Sequence, residues 1–104
     1  MSQQSNADLR RYYRVANRKY FHNRLPKDLS VEFSNTIPCL GVAYVREPQS
    51  IEISEELRGI QIFAIMTLLH EMVHIENPKW KGHGWRWEYR MRELVDAGAY
   101  DGLL

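Results

Sequence analysis

Cysteine is nearly absent: Cys39 is the only one, so neither an internal disulfide nor a cysteine-built zinc knuckle can form within the chain. Any metal site has to draw on histidine and carboxylate. Beside Pro38, Cys39 itself reads as a small buried apolar residue. Long apolar runs are missing too. The longest, IFAIMTLL, contains Thr67 and falls far short of the roughly 20 residues a membrane helix needs. The polar opening MSQQSNADLRRYY lacks the basic-then-apolar order of an export signal, so a cytoplasmic chain with no membrane partner is expected. Repeats and low-complexity segments are absent as well.

What remains is ordinary globular material. With 104 residues, 44% hydrophobic and 26% charged, one domain over residues 1–104 is expected, monomeric and with residues 1–6 disordered. The net charge of +1 conceals an asymmetry. Residues 1–27 hold seven Lys/Arg against Asp8 alone, whereas residues 28–76 hold eight acids against Arg46 and Arg58. Such a basic start is either an electrostatic footprint for nucleic acid, through Arg10, Arg11 and Arg14, or a solvated face balanced by the acidic middle.

Apolar periodicity organises the chain. ADLRRYYRVANRKYF places Leu9, Tyr12, Tyr13, Ala16, Tyr20 and Phe21 near one helical face, with Asn6 or Asp8 as a start signal and Leu25-Pro26 as the stop. Three short β runs follow, at 29–34, 40–46 and 50–54, punctuated by Asn35, Pro38, Gly41 and Pro48. A second helix is predicted from about Gly59 to Ile75 with Ile62, Ile65, Met66, Leu69 and Val73 inward, ended by Asn77-Pro78. A third begins near Gly82 to Gly84, turns Trp87, Met91, Leu94 and Val95 inward, and is capped by Gly98. The fold class is therefore α+β: three helices packed with a small, three-stranded, mainly antiparallel sheet.

The chemistry is concentrated in LLHEMVHIENPKWKGHGWRW, residues 68–87. His70 and His74, four apart on a helix, offer two imidazole nitrogens on one face, a combination suited to zinc. Glu71, beside the first histidine, is placed as general base for water attacking a carbonyl polarised by one Zn2+ ion. These are ionisable groups set among Leu68, Leu69, Met72, Val73 and Ile75, where desolvation is costly without a partner. His83 is favoured as third ligand, because packing Trp87 inward would turn His83 toward the second helix. Glu88 and Glu93 are the competing donors. Tyr89 and Arg90 are candidate contacts to the transition state or substrate. Trp80, Trp85 and Trp87 are candidate pocket walls, and either LGVAYVR or SIEIS is a candidate edge strand for an extended peptide. His22 is expected at the surface. The tail AYDGLL is expected to fray, or else to bring Tyr100 or Asp101 toward the metal.

Taken together, YFHNRLP, LGVAYV, IEIS, TLLHEMVH and HGWRW resemble the zinc-peptidase core of the SprT-like family, which includes the Spartan DNA–protein crosslink proteases. The resemblance spans about residues 12 to 95 and implies a zincin-like core, with His70, His74 and His83 as zinc ligands and Glu71 as general base. It also implies a protein or peptide substrate, with DNA as a partner through the basic first helix. The chain is similar as well to minigluzincins, minimal single-domain peptidases whose third ligand is a glutamate. The alternative from another class is a zinc-stabilised module that binds DNA or protein without turnover.

Overall fold

The computed structural model describes residues 3–80 and 82–102. Helix α1 (Asn6–Tyr20) starts at a reciprocal cap: Ser5 Oγ accepts from the Asp8 amide, and the Asp8 carboxylate accepts from the Ser5 amide. Gln4 is buried and its side-chain amide donates to the Leu57 and Arg58 carbonyls. The expected disordered start is thus corrected at residues 4–6, since cap and anchor order them; residues 1 and 2 lie outside the described residues. Leu9, Tyr12, Tyr13 and Ala16 face inward as their spacing requires. Asn17 joins them, exchanging two hydrogen bonds with the backbone of Leu25 and so holding the chain where it leaves the helix.

Strands β1 (Ser30–Ser34), β2 (Gly41–Tyr44) and β3 (Ser50–Ser54) form one sheet in the order β1-β3-β2. The expected three-stranded α+β layout is present, and the sheet is mixed. β2 pairs antiparallel with β3, placing Gly41 opposite Ile53 and Tyr44 opposite Ser50, while β1 pairs parallel with it. Val31, Phe33, Ile51 and Ile53 alternate with polar neighbours and fill the core. LGVAYVR therefore supplies an edge strand, and SIEIS the central one.

A 3-10 turn at Glu55–Leu57 leads into α2 (Gln61–Glu76), which ends at Asn77 before Pro78. Its inward residues include Ala64, Ile65, Leu68, Leu69, Met72 and Val73. Ile62 and Met66, expected inside, are instead 44% and 39% exposed. An apolar helix offers several stripes of similar hydropathy, and contact with the sheet selected the one through Ala64 and Leu68. Helix α3 (Trp85–Asp96) buries Leu94 and packs Trp87 and Met91 against the core, while Val95 points outward. A short α4 (Ala99–Gly102) follows Gly98, with Ala99 buried, so the tail is ordered through residue 102 where fraying was expected. Residues 103 and 104 lie outside the described residues. Cys39 is exposed, its thiol reaching the Gly41 carbonyl at 3.3 Å, so the expectation of a buried cysteine is corrected too. No helix among the described residues is long and apolar enough to cross a membrane.

Candidate metal centre

Helix α2 carries His70 and His74 on one face, one turn apart, and the turn preceding α3 brings His83 against them. Gly82 makes that turn possible: its φ of +66° lies in the left-handed region that side chains disfavour. His83 Nε2 lies 3.0 Å from His70 Nε2 and 3.2 Å from His74 Nε2. All three ligand atoms are within 4.8 Å of one another. Trp87 forms the floor, its ring centroid 4.6 Å from His70, 4.5 Å from His83 and 6.2 Å from His74.

Three converging imidazole nitrogens are a frustrated arrangement for hydrogen bonding alone. Each neutral ring offers either a proton or a lone pair at Nε2, and a nitrogen with a lone pair facing another such nitrogen gains nothing. A cation at the centre satisfies all three. Nitrogens bound to tetrahedral zinc stand about 3.3 Å apart for bonds of about 2.05 Å, close to the two separations seen here. Electrostatics favour the metal-ready form: burial, then the charges of His83 and His74, push the His70 pKa down to about 4. Burial, then His83, also lowers that of His74. The residues present therefore fit a zinc ion.

Glu71 is only 6% exposed, and burial pushes its carboxyl up to about 7. Its Oε2 lies 3.9 Å from His70 Nε2, but with His70 neutral at pH 7 this approach is not an ion pair. Gly41, at the start of β2, presses on the same carboxylate. A Cβ there would stand 2.6 Å from Thr67 Cγ2 and 3.0 Å from Glu71 Oε2. Periodicity reads Gly41 as turn punctuation; its contact with Glu71 comes from strand order, which no local pattern encodes.

Two clefts open on the cluster. The first, about 390 Å³, runs along β2 and includes Val42, Ala43, Val45, Pro78 and Trp80 beside the three histidines and Glu71. The second, about 580 Å³, lies between α2, α3 and α4, with Met66, Met91 and Tyr100 in its walls and His70, Glu71 and His83 at its side. Trp80 and Trp87 are thus walls of the site, whereas Trp85 is 72% exposed and lines neither of these clefts.

Other candidates lie elsewhere. Arg90 donates to both Glu76 oxygens, at 2.8 and 3.2 Å, and to the Tyr20 carbonyl, beneath the face of Phe21. A guanidinium so committed ties α3 to α1 and α2, and its expected role as a transition-state contact is withdrawn. Tyr89, 61% exposed, lines neither cleft, so that reading is withdrawn as well. Glu88 is exposed, and Glu93 approaches Arg90 at 3.9 Å; neither belongs to the ligand cluster, so the glutamate alternatives for the third ligand are not supported. Asp101 is exposed, unlike Tyr100, and lines neither cleft. Arg10, Arg11 and Arg14 all project from the outer face of α1, and His22 is exposed as expected.

Comparisons with curated proteins and with solved structures give no match. A family model does match, over residues 9–101, nearly the whole chain. It includes most of α1, the sheet, the histidine cluster and Glu71. The chain belongs to the SprT-like family.

Proposed function

We propose that the protein is a zinc-dependent peptidase. The observation that carries this reading is the convergence of three imidazole nitrogens next to a buried carboxylate, beside the open edge of a β-sheet. Zinc held by His70, His74 and His83 supplies a Lewis acid that polarises a carbonyl and acidifies water. The chain's own residues do the rest. Glu71 accepts the proton of the attacking water as the C–O bond forms, then gives it to the departing amine as the C–N bond breaks. Burial raises the Glu71 carboxyl above the ordinary carboxylate range, which favours its taking up that proton. Among the described residues strand β2 pairs with β3 alone, so its other edge can hold a substrate backbone in extended form through main-chain hydrogen bonds. Trp87 supports the histidines from below and limits their rotation.

The test is Glu71→Gln with zinc content measured alongside peptide cleavage. Retained zinc with cleavage reduced at least a hundredfold supports the reading. Equal cleavage by both forms, or none by either at full zinc loading, favours a zinc-stabilised binding module instead.

A second reading concerns DNA. Exposed Arg10, Arg11, Arg14, Arg18 and Lys19 give α1 a basic outer face, and α1 packs on the β1 side of the sheet, away from the β2 edge. DNA held there would leave the cleft open to protein. Changing Arg10, Arg11 and Arg14 together to Ala should weaken DNA binding and flatten its salt dependence by about three ions released; unaltered binding removes this reading.

A further inference from the structure

The three histidines are not held alike. His70 and His74 share helix α2, so their separation is set by the helix itself. His83 comes from the turn before α3, and its Nε2 stands 3.0 and 3.2 Å from theirs only while α3 is docked. Bonds to zinc tolerate an error of only about 0.2 Å. Whatever fixes α3 against α2 therefore fixes the third ligand.

Apolar packing does this weakly. Among the described residues of α3, Leu94 alone is buried; Trp87 and Met91 are half-buried, while Trp85, Tyr89 and Val95 are exposed. Between the two helices the Trp80 amide donates to the Asn77 carbonyl at 3.0 Å, which closes a turn but does not reach α3.

One carboxylate bridges the gap. Glu76, the last residue of α2, accepts from Arg90 Nε at 2.8 Å through one oxygen and from Arg90 Nη2 at 3.2 Å through the other. A fork of this kind fixes angle as well as distance. The same guanidinium donates to the Tyr20 carbonyl over the ring of Phe21, which anchors α3 to the end of α1 too. Glu76 also accepts from Asn77 at 3.1 Å and from Arg24 at 2.8 Å. Arg24 is 60% exposed and follows α1, whereas Arg90 is 15% exposed and lies on α3, so the Arg90 contact is the one that docks the helix. Trp87, which supports the histidines from below, lies one turn before Arg90 on the same side of α3.

We propose that Glu76 is the positioning residue for the third zinc ligand: through Arg90 it seats α3 so that His83 Nε2 meets those of His70 and His74. The proposal rests on the zinc site of the reading above and not on turnover. Without the Glu76 carboxylate, α2 still presents His70 and His74, and His83 is engaged poorly.

The experiment measures, on the folded full chain, zinc affinity by competition with a chromophoric chelator and the visible spectrum of the Co2+-loaded protein, which reports ligand number and geometry. Glu76→Ala is expected to bind one ion at saturation with affinity reduced about tenfold to a hundredfold, the scale on which groups that orient metal ligands act. Its Co2+ spectrum should move toward that of His83→Ala. Glu76→Gln keeps the shape and one acceptor oxygen, and Arg90→Lys keeps the charge without the fork, so both should fall between. Should Glu76→Ala not fold, these two carry the test. Arg24→Ala removes the exposed partner alone and should stay within about threefold of wild type. Val31→Ala, a core truncation in β1, separates positioning from general loss of stability and should leave affinity and spectrum unchanged. Wild-type affinity and spectrum in the Glu76 variants, or an equal loss in Val31→Ala, overturns the positioning role and leaves the zinc site intact. Zinc binding without peptide cleavage by the wild type, together with the loss in Glu76→Ala, overturns the peptidase and leaves the positioning role. No zinc uptake by the wild type overturns both.

Discussion

Replacing Gly41 by alanine probes the packing that holds Glu71 in place. The added methyl would stand 2.6 Å from Thr67 Cγ2, 3.0 Å from Glu71 Oε2 and 3.2 Å from Glu71 Cγ, so something has to move. β2 is tied to β3 through the pairing of Gly41 with Ile53, and Thr67 is β-branched on a helix, with few side-chain rotamers open to it. Glu71, with its longer side chain, yields most easily. Overpacking of this kind costs about 1–3 kcal/mol of stability. Shifting a catalytic group by as much as an ångström costs on the order of a hundredfold in rate. Gly41→Ala should therefore lose about 2 kcal/mol in urea unfolding and most of its peptide cleavage, while binding one zinc as before, because the three atoms nearest the new methyl belong to Thr67 and Glu71 and not to a ligand histidine. Thr67→Ser removes the methyl responsible for the shortest contact and keeps the hydroxyl. Added to Gly41→Ala, it should recover most of the lost stability but only part of the cleavage, since the contacts to Glu71 persist. A double-mutant cycle reads this coupling directly. Wild-type stability and cleavage in Gly41→Ala, or strict additivity of the two substitutions, would mean that Gly41 does not hold Glu71 in place.

Further outcomes follow from the same geometry. In metal-free protein the folded-state pKa of Glu71 is raised from 4.5 to about 7, so its stabilising protonated form is fully present below pH 4.5 and its contribution is lost as pH rises through 7. Glu71→Gln lacks that loss, so in urea unfolding its stability relative to wild type should improve by about 3 kcal/mol between pH 4.5 and 8.5; a constant difference contradicts the burial argument. Zinc should shrink the effect, since a cation beside the carboxylate favours its charged form. Arg90→Ala should destabilise by about 3 kcal/mol through the loss of its hydrogen bonds to the partly buried Glu76 and Tyr20, with zinc stoichiometry unchanged; loss of cleavage without loss of stability would restore Arg90 to the reaction. Ser5→Ala should cost about 1 kcal/mol in unfolding through loss of the α1 cap, and a neutral result would return residues 4–6 to disorder.

His70, Glu71 and His74 were legible because local spacing on one helix places them, and His83 because Trp87 has one apolar face to bury. Helix positions and strand runs followed from periodicity in the same way. Strand order did not: whether LGVAYVR or SIEIS lies at the edge depends on β1 pairing in parallel with β3 across intervening chain. The role of Gly41 was hidden for that reason. Ile62 and Met66 were misassigned because α2 is apolar on several faces, and hydropathy alone does not say which one meets the sheet. Arg90 shows the converse error, a cation near the site in sequence that spends its hydrogen bonds on Glu76 and Tyr20 in space.

Zinc K-edge absorption on protein loaded with one equivalent of zinc reads the three-histidine site itself. Three imidazole nitrogens and one oxygen donor at about 2.0 Å are predicted, with one imidazole lost in each of His70→Ala, His74→Ala and His83→Ala. A shell dominated by carboxylate oxygens, or one unchanged by His83→Ala, would mean that these histidines do not hold the ion.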